Sequence, residues 1–131
     1  MPHYEIKKIE IDSLKPHEKF SLEHFEELRM EIKKDGVLKD PIIVDKDNLV
    51  ILDGHHRYNA LLSLGAKFCP VCLVDYQDEA IGVACWRENE KITKKEVVAA
   101  GVSGKLLPVK TSRHHIPDRP TGLNVPLSEL Q

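Results

Sequence analysis

Asp53-Gly54-His55-His56-Arg57 is the stretch that decides how this chain folds and where a site should lie. An apolar run, Leu49-Val50-Ile51-Leu52, ends at it, and a pattern typical of a helix follows from Tyr58 to Leu64. A strand that turns into a helix presents backbone N–H groups that the helix does not use, and that end of a helix attracts anions. Imidazole and guanidinium groups at the same point add donors for phosphate oxygens. The stretch therefore predicts an anion site, best suited to phosphate.

A purely structural interpretation of this turn is also open. Gly54 would close a tight turn, Asp53 would cap the next helix, and the two histidines would simply be exposed. Capping needs only the aspartate, however, and does not explain two histidines and an arginine beside it. We therefore favour the anion site.

Length and charge limit the class of protein. A chain of 131 residues predicts a single domain spanning 1–131, and its net charge of -2 argues against a general nucleic-acid binder. No segment approaches the roughly 20 apolar residues of a membrane span, and the N-terminus lacks the features of a secretory signal. Three cysteines are an odd number, which favours reduced thiols and a cytoplasmic location. We expect no membrane or nucleic-acid partner, and a monomer or small homo-oligomer.

Local patterns predict an α+β unit. Ser21 is a candidate N-cap for a helix that ends at Gly36, with Phe20 and Phe25 as a hydrophobic staple. That helix should bury Leu22, Phe25, Leu28 and Ile32. A second helix should run from about Arg57 to Gly65, and a third from the Thr93–Glu96 capping box to Gly101. Predicted strands cover residues 4–11, 41–44, 49–52, 69–75 and 80–86, with a further edge strand at 123–125.

Two further clusters carry suitable chemistry. Lys110-Thr111-Ser112-Arg113-His114-His115 offers donors for phosphate, although taken alone it is as well explained by a solvated basic loop. Lys15-Pro16-His17-Glu18 places a carboxylate in a loop, where a lone Glu is usually just solvated. Phosphoryl transfer needs a proton acceptor near the attacking hydroxyl, which raises the interest of Glu18.

Metal and redox motifs are weak. Cys69 and Cys72 have C-x-x-C spacing but lie in an apolar strand, where residues three apart point to opposite faces. No second ligand pair has the spacing of a zinc site, so we predict no structural zinc. Trp86, the only tryptophan, is either a core anchor or the wall of a small-molecule pocket.

The turn, followed by Tyr58 and a Leu-rich helix, resembles the signature turn of the ParB/sulfiredoxin superfamily. Sulfiredoxins carry a cysteine in a Gly-Gly-Cys-His-Arg turn, whereas this chain has His55, so a sulfinic-acid reductase is disfavoured. ParB proteins carry Gly-Glu-Arg-Arg and a helix-turn-helix domain, and neither is present here. The implied fold is a ParB/sulfiredoxin-like compact mixed sheet flanked by short helices.

The chain most closely resembles the free serine kinases of that superfamily. Three blocks agree in order: residues 15–18, residues 53–57, and residues 110–114 followed by Pro117. The resemblance implies transfer of a phosphoryl group to the hydroxyl of free L-serine, which gives O-phosphoserine. The implied partners are small molecules, namely L-serine and a phosphoryl donor.

The resemblance also implies roles for individual residues. Glu18 matches the catalytic base, Asp53 and His56 are further catalytic candidates, and Asp53 is a candidate Mg²⁺ ligand. Trp86 and His17 are candidate substrate-binding residues. The expected phosphate-binding residues are Gly54, His55, His56, Arg57, Thr111, Ser112, Arg113 and His114.

The phosphoryl donor is a separate expectation. Larger archaeal members of the family carry an insertion between the Trp86 region and the C-terminal cluster, where this chain has one short helix. A nucleotide needs a surface for its base and ribose, which a small domain has little room to supply. We therefore expect pyrophosphate, narrowly over ADP or ATP. The competing interpretation is a ParB-like nucleotide- or DNA-binding regulator without kinase activity.

Overall fold

The computed structural model describes residues 4–86, 90–109 and 111–131. Within these ranges strands and helices are mixed along the chain, which confirms the predicted α+β class. In chain order the elements are β1 (Glu5–Glu10), α1 (Leu22–Asp35), β2 (Val37–Leu38), β3 (Ile42–Asp45), β4 (Ile51–Asp53), α2 (His55–Ser63), β5 (Phe68–Val74), β6 (Gly82–Cys85), α3 (Lys94–Ser103), β7 (Ser112–His115) and β8 (Val125–Pro126).

The central sheet has the order β1-β5-β3-β4. β3 and β4 form the predicted antiparallel hairpin, β3 runs parallel to β5, and β1 pairs antiparallel with β5. The loop after β1 lies beside β4, because the N–H of Lys15 donates to the carbonyl of Leu49 at 2.9 Å and the N–H of Ile51 donates to the carbonyl of Lys15 at 2.8 Å. This pairing brings the loop that contains Glu18 toward the end of β4.

The sheet separates two hydrophobic cores, because successive strand residues face opposite sides. Ile42 and Val44 pack toward α1 and α2, whereas Ile43 packs toward α3. Cys69 and Cys72 are both buried and divide between the two cores in the same way.

The first helix follows its predicted signals closely. The Ser21 side chain accepts a hydrogen bond from the N–H of His24, and Gly36 ends the helix with a φ of 70°. The rings of Phe20 and Phe25 lie 5.3 Å apart, as a hydrophobic staple requires. Leu22 was expected on the buried face but is 68% exposed. It occupies the first helical position, before the turns that pack on the core.

The end of the third helix was predicted wrongly. The Thr93–Glu96 capping box is present, but the helix continues through Gly101 and ends at Gly104, which has a φ of 78°. A Cβ at Gly101 would lie 2.7 Å from the Cγ atoms of Val50. This glycine therefore allows α3 to approach β4 closely and does not stop the helix.

The C-terminal region is more regular than its sequence suggests. The expected loop after Lys110 is the strand β7, which pairs antiparallel with β6, although Lys110 itself lies outside the described residues. The predicted edge strand is β8, which starts at Val125 and pairs with β2. The second helix also begins two residues earlier than predicted, at His55. Among the described helices, none is both long and apolar enough to cross a membrane.

Candidate active site

A cavity of about 410 Å³ lies where β4 turns into α2. One wall is the whole predicted turn, Asp53 to Arg57. Residues 112–114 of β7, Glu18 and Trp86 also line the cavity. Three segments that are far apart in sequence therefore meet around one cavity.

The turn presents the N-terminus of α2 to this cavity. Gly54 is the N-cap residue with a φ of 105°, and no side chain caps the helix, so Asp53 does not act as a cap. A Cβ at Gly54 would lie 3.1 Å from Ile42 and 3.2 Å from the Arg57 guanidinium. The unusual φ and this close packing explain why glycine occupies the turn. The first-turn N–H groups of α2 remain available as anion donors by the geometry of a helix start.

The two histidines of the turn are hydrogen-bonded as neutral rings. The N–H of His17 donates to Nε2 of His55 at 3.2 Å, and the N–H of Ser21 donates to Nε2 of His56 at 2.9 Å. Each ring therefore carries its proton on Nδ1. Burial lowers the pKa of His55 well below 6.5, with further lowering from the neighbouring His17 and His114. His55 therefore brings no positive charge to the cavity at neutral pH.

Positive charge in the cavity comes from arginines. Main-chain carbonyl groups hold the Arg57 guanidinium in place, because its Nη1 donates to the carbonyls of Asp40 at 3.1 Å and Pro41 at 3.2 Å. Arg113 lies over the Trp86 ring, 5.0 Å from its centroid, and Trp86 is 55% exposed. Both residues line the cavity, and part of the Trp86 surface is open to solvent.

Arg119 is a cavity residue that the sequence analysis missed. Its Nη2 donates to Oδ2 of Asp53 at 2.6 Å. Burial works to raise the pKa of Asp53, but the hydrogen bond and charge of Arg119, together with the charge of Arg57, hold the pKa below its ordinary value. In the sequence, the only feature that could have indicated Arg119 is its closeness to the third block, since it follows Pro117 by two residues.

Glu18 is fixed by the start of β7. Its Oε1 accepts the N–H of Thr111, and also the N–H of Ser112 at 2.9 Å. The flanking backbone is paired as well, because Lys19 donates to the carbonyl of Leu107 and Leu107 donates to the carbonyl of His17, each at 2.8 Å. The carboxylate is thus held in one place at the cavity wall.

Two predicted site residues, His17 and Thr111, are buried and do not line the cavity. The side chain of His17 is hydrogen-bonded to the carbonyl of Ile51 and to the hydroxyl of Ser112. The hydroxyl of Thr111 donates to the carbonyl of Pro108 at 2.6 Å. His17 thereby holds the hydroxyl of Ser112 in place, and the N–H of Thr111 helps to hold Glu18.

His114 joins the cavity to the second core. The hydroxyl of Tyr76 and Nε2 of His114 are 2.8 Å apart, and burial lowers the pKa of His114 to about 3. His114 is therefore neutral, like the histidines of the turn.

Within the described ranges, no group of three or more His, Cys, Asp or Glu side chains is arranged to hold a metal ion. Mg²⁺ is commonly bound by one or two carboxylates together with substrate phosphates and water, so a preformed cage is not required. Asp53 is ionised and lies at the cavity, which fits that mode of binding, although Arg119 occupies one of its oxygens.

Comparison with known proteins gives the following similarities. A family model described as the ParB N-terminal domain matches residues 2–90. A ParB-like protein of Sulfolobus acidocaldarius is 42% identical over 86 residues, which are 66% of this chain and 43% of that protein. An ATP-dependent L-serine kinase of Staphylothermus marinus is 36% identical over 64% of this chain and 35% of its own length. An ADP-dependent L-serine kinase of Thermococcus kodakarensis is 34% identical over 69% of this chain and 39% of its own length.

Solved structures share the fold over nearly the whole chain. A conserved hypothetical protein from Pyrococcus furiosus has a TM-score of 0.88 at 21% identity, covering 97% of both chains. A free serine kinase in complex with AMP also has a TM-score of 0.88, at 20% identity, covering 96% of this chain and 93% of the other. The matched region spans less than half the length of the curated relatives. The kinases among them are named as ATP- or ADP-dependent, so the narrow expectation of pyrophosphate gains no support.

Proposed function

This chain belongs to the ParB N-terminal domain family, and we propose that it is a kinase that phosphorylates the hydroxyl of free L-serine. The observation that carries the proposal is that Glu18 and the helix N-terminus at residues 53–57 line the same cavity. A fixed proton acceptor and a set of hydrogen-bond donors for phosphate then share one site, as phosphoryl transfer to an alcohol requires. The similarity to proteins named L-serine kinases supports serine as the acceptor.

The proposed reaction exchanges one P–O bond for another. The hydroxyl oxygen of serine attacks the terminal phosphorus of the donor, the hydroxyl proton passes to Glu18, and the bond from phosphorus to the leaving phosphate breaks. Arg57, Arg113 and the α2 N-terminus neutralise charge on the transferred group. Most of the rate enhancement would come from positioning, because this chemistry needs little covalent help from the protein.

Adenine nucleotides are the donors that the relatives favour. The exposed Trp86–Arg113 pair supplies an aromatic surface that lines the cavity, which could cover part of a nucleotide. If Mg²⁺ takes part, Asp53 is the residue that would hold it, and the ion would neutralise charge on the donor phosphates. Pyrophosphate, which our sequence argument favoured, is the alternative donor to test.

The direct experiment supplies the protein with L-serine, Mg²⁺ and one donor at a time: ATP, ADP or pyrophosphate. Phosphoserine is detected by ³¹P NMR and mass spectrometry, with Glu18→Gln as the inactive control. Formation of phosphoserine from ATP or ADP supports the proposal as stated. Formation from pyrophosphate alone would retain the kinase and correct the donor, whereas no product from any donor would overturn the proposal.

A second candidate is a nucleotide- or DNA-binding regulator, which the 42% identity to a ParB-like protein favours. The net charge of -2 counts against duplex DNA as a ligand. Binding of duplex DNA that weakens steeply as salt rises, with no phosphoserine formed, would select this function.

A further inference from the structure

The hydroxyl of Ser112 is hydrogen-bonded to a buried histidine behind the cavity. Nε2 of His17 lies 2.8 Å from Oγ of Ser112, and Nδ1 of His17 lies 2.6 Å from the carbonyl oxygen of Ile51. His17 is 0% exposed, while Ser112 lines the cavity. The direction of these two hydrogen bonds decides what Ser112 can offer to a ligand.

The direction follows from the carbonyl of Ile51. A carbonyl oxygen only accepts, so Nδ1 of His17 must carry a proton. A buried imidazole is neutral, in agreement with the lowering of its pKa to about 4 by desolvation, and so Nε2 has no proton. Ser112 therefore donates its hydroxyl proton to His17, and its oxygen can act toward a ligand as an acceptor only.

An acceptor at this point does not suit phosphate. Phosphate oxygens are themselves acceptors, and their partners are N–H and O–H donors such as arginine, lysine and backbone N–H groups. Glu18 is a second acceptor beside it, since its carboxylate accepts the N–H of Ser112 at 2.9 Å. Hydrogen-bond donors for phosphate line the same cavity at residues 54–57 and at Arg113. The two neighbouring acceptors, Ser112 and Glu18, instead suit a ligand group that donates hydrogen bonds.

We infer that Ser112 is a specificity-determining residue that accepts a hydrogen bond from the α-ammonium group of the acceptor amino acid, and that His17 is the positioning residue that fixes this polarity. The inference rests on the proposed function and assigns Ser112 to the amino-acid side of the cavity, where the sequence analysis expected phosphate binding. Glu18, beside it, receives the proton of the substrate hydroxyl in the proposed reaction. An ammonium group carries three donors, which suits two neighbouring acceptors.

The test compares Ser112→Ala with Ser112→Thr. The alanine variant removes the acceptor, whereas threonine keeps the hydroxyl and suits a strand. A lost hydrogen bond to a charged group predicts that the KM for L-serine rises about 10- to 100-fold in Ser112→Ala. The KM for the phosphoryl donor should change less than about 2-fold, and Ser112→Thr should stay close to wild type.

A second comparison uses 3-hydroxypropionate, which is serine without its amino group. The wild-type protein should strongly prefer L-serine, and Ser112→Ala should lose most of that preference. If Ser112 binds phosphate, Ser112→Ala should instead raise the KM for the phosphoryl donor. That result would overturn the inference. If the wild-type protein phosphorylates no serine, the proposed function fails and the inference fails with it.

A third measurement does not depend on activity. Long-range ¹H–¹⁵N NMR spectra distinguish the two tautomers of a neutral histidine. We expect His17 to carry its proton on Nδ1, with Nε2 showing the shift of an unprotonated acceptor. A proton on Nε2 would reverse the direction of the Ser112 hydrogen bond and overturn the inference even in an active enzyme.

Discussion

Arg119 and Asp53 form a short ion pair at the cavity, with 2.6 Å between Nη2 and Oδ2. The pair ties the irregular C-terminal segment to the end of β4, next to the turn that opens α2. It also keeps Asp53 ionised despite burial that works in the opposite direction. The negative charge in the cavity is thus maintained by a residue that lies 66 positions away in sequence.

Replacing Arg119 should change the titration of Asp53 more than it changes stability. In Arg119→Gln we expect the pKa of Asp53 to rise, because burial is no longer opposed by the hydrogen bond and charge of Arg119. Both side chains are partly exposed, so the free energy of unfolding should fall by less than about 1 kcal/mol. ¹³C NMR titration of the Asp53 carboxyl measures the shift. Arg29→Gln, which removes an arginine outside the cavity, should leave that pKa unchanged.

Glu18→Gln should reduce turnover by about 10²- to 10⁴-fold, as expected when a general base is lost. The amide keeps an oxygen that can accept the N–H groups of Thr111 and Ser112, so the thermal midpoint should change little. Steady-state kinetics and thermal unfolding on the same preparation separate the two effects. Full turnover in this variant would exclude Glu18 as the base.

Alanine variants of Arg57 and Arg113 should differ in effect, because the first should lower stability and the second should weaken ligand binding. Arg57→Ala leaves two carbonyl groups without their donor and should cost about 1–3 kcal/mol of unfolding free energy. Arg113 is exposed, so Arg113→Ala should weaken donor binding while stability stays the same. Urea unfolding measures the first effect, and the KM for the donor measures the second. Equal stability of the two variants would contradict the structural role of Arg57.

Gly101→Ala should destabilise the protein by about 1–3 kcal/mol, because the new methyl group overlaps Val50 in a packed core. The double variant Gly101→Ala/Val50→Ala should recover part of that loss, since the smaller residue makes room. Urea unfolding of both single variants and the double variant gives the interaction free energy. A stabilising Gly101→Ala, as helix propensity alone would predict, would show that α3 can shift away from β4.

Stability should fall as the pH is lowered from about 6.5 toward 4. In the folded protein, burial lowers the pKa of His17 to about 4 and of His114 to about 3, whereas the unfolded rings titrate near 6.5. Between these values the unfolded chain binds more protons than the folded chain, so acid favours unfolding. Each pKa unit by which the folded and unfolded values differ contributes about 1.4 kcal/mol to the pH dependence of the free energy of unfolding. Urea midpoints at a series of pH values give the slope.

The control for this slope is His115→Gln, which removes an exposed histidine and should leave the pH dependence as it is in wild type. Stability that is flat between pH 7 and pH 5 would mean that the buried histidines are protonated in the folded protein.

Local signals account for what the sequence could predict. The cap at Ser21, the stop at Gly36 and the Thr93–Glu96 box act within a few residues, so the amino-acid order alone indicates them. The turn at residues 53–57 could be predicted for the same reason. The strand, the glycine, the hydrogen-bond donors for phosphate and the helix follow one another directly in the sequence.

The features that were missed depend on partners far along the chain. Gly101 has the appearance of a helix stop, and only its contact with Val50 shows why it lies inside α3. The hydrogen bond from Ser112 to His17 joins residues 95 positions apart, and no local pattern marks it. Orienting bonds of this kind determine what a site residue can bind, so sequence patterns locate the site better than they define its ligands.

The attachment of Glu18 to β7 has a consequence for synthesis of the protein. The carboxylate is held by backbone N–H groups that lie more than 90 residues later in the chain. A nascent chain that has released only residues 2–90 from the ribosome contains the turn but lacks the strand that holds Glu18. The cavity is therefore completed late in translation, and a ribosome stalled before residue 112 should carry a chain that has much of its sheet but lacks the β7 residues that line the cavity.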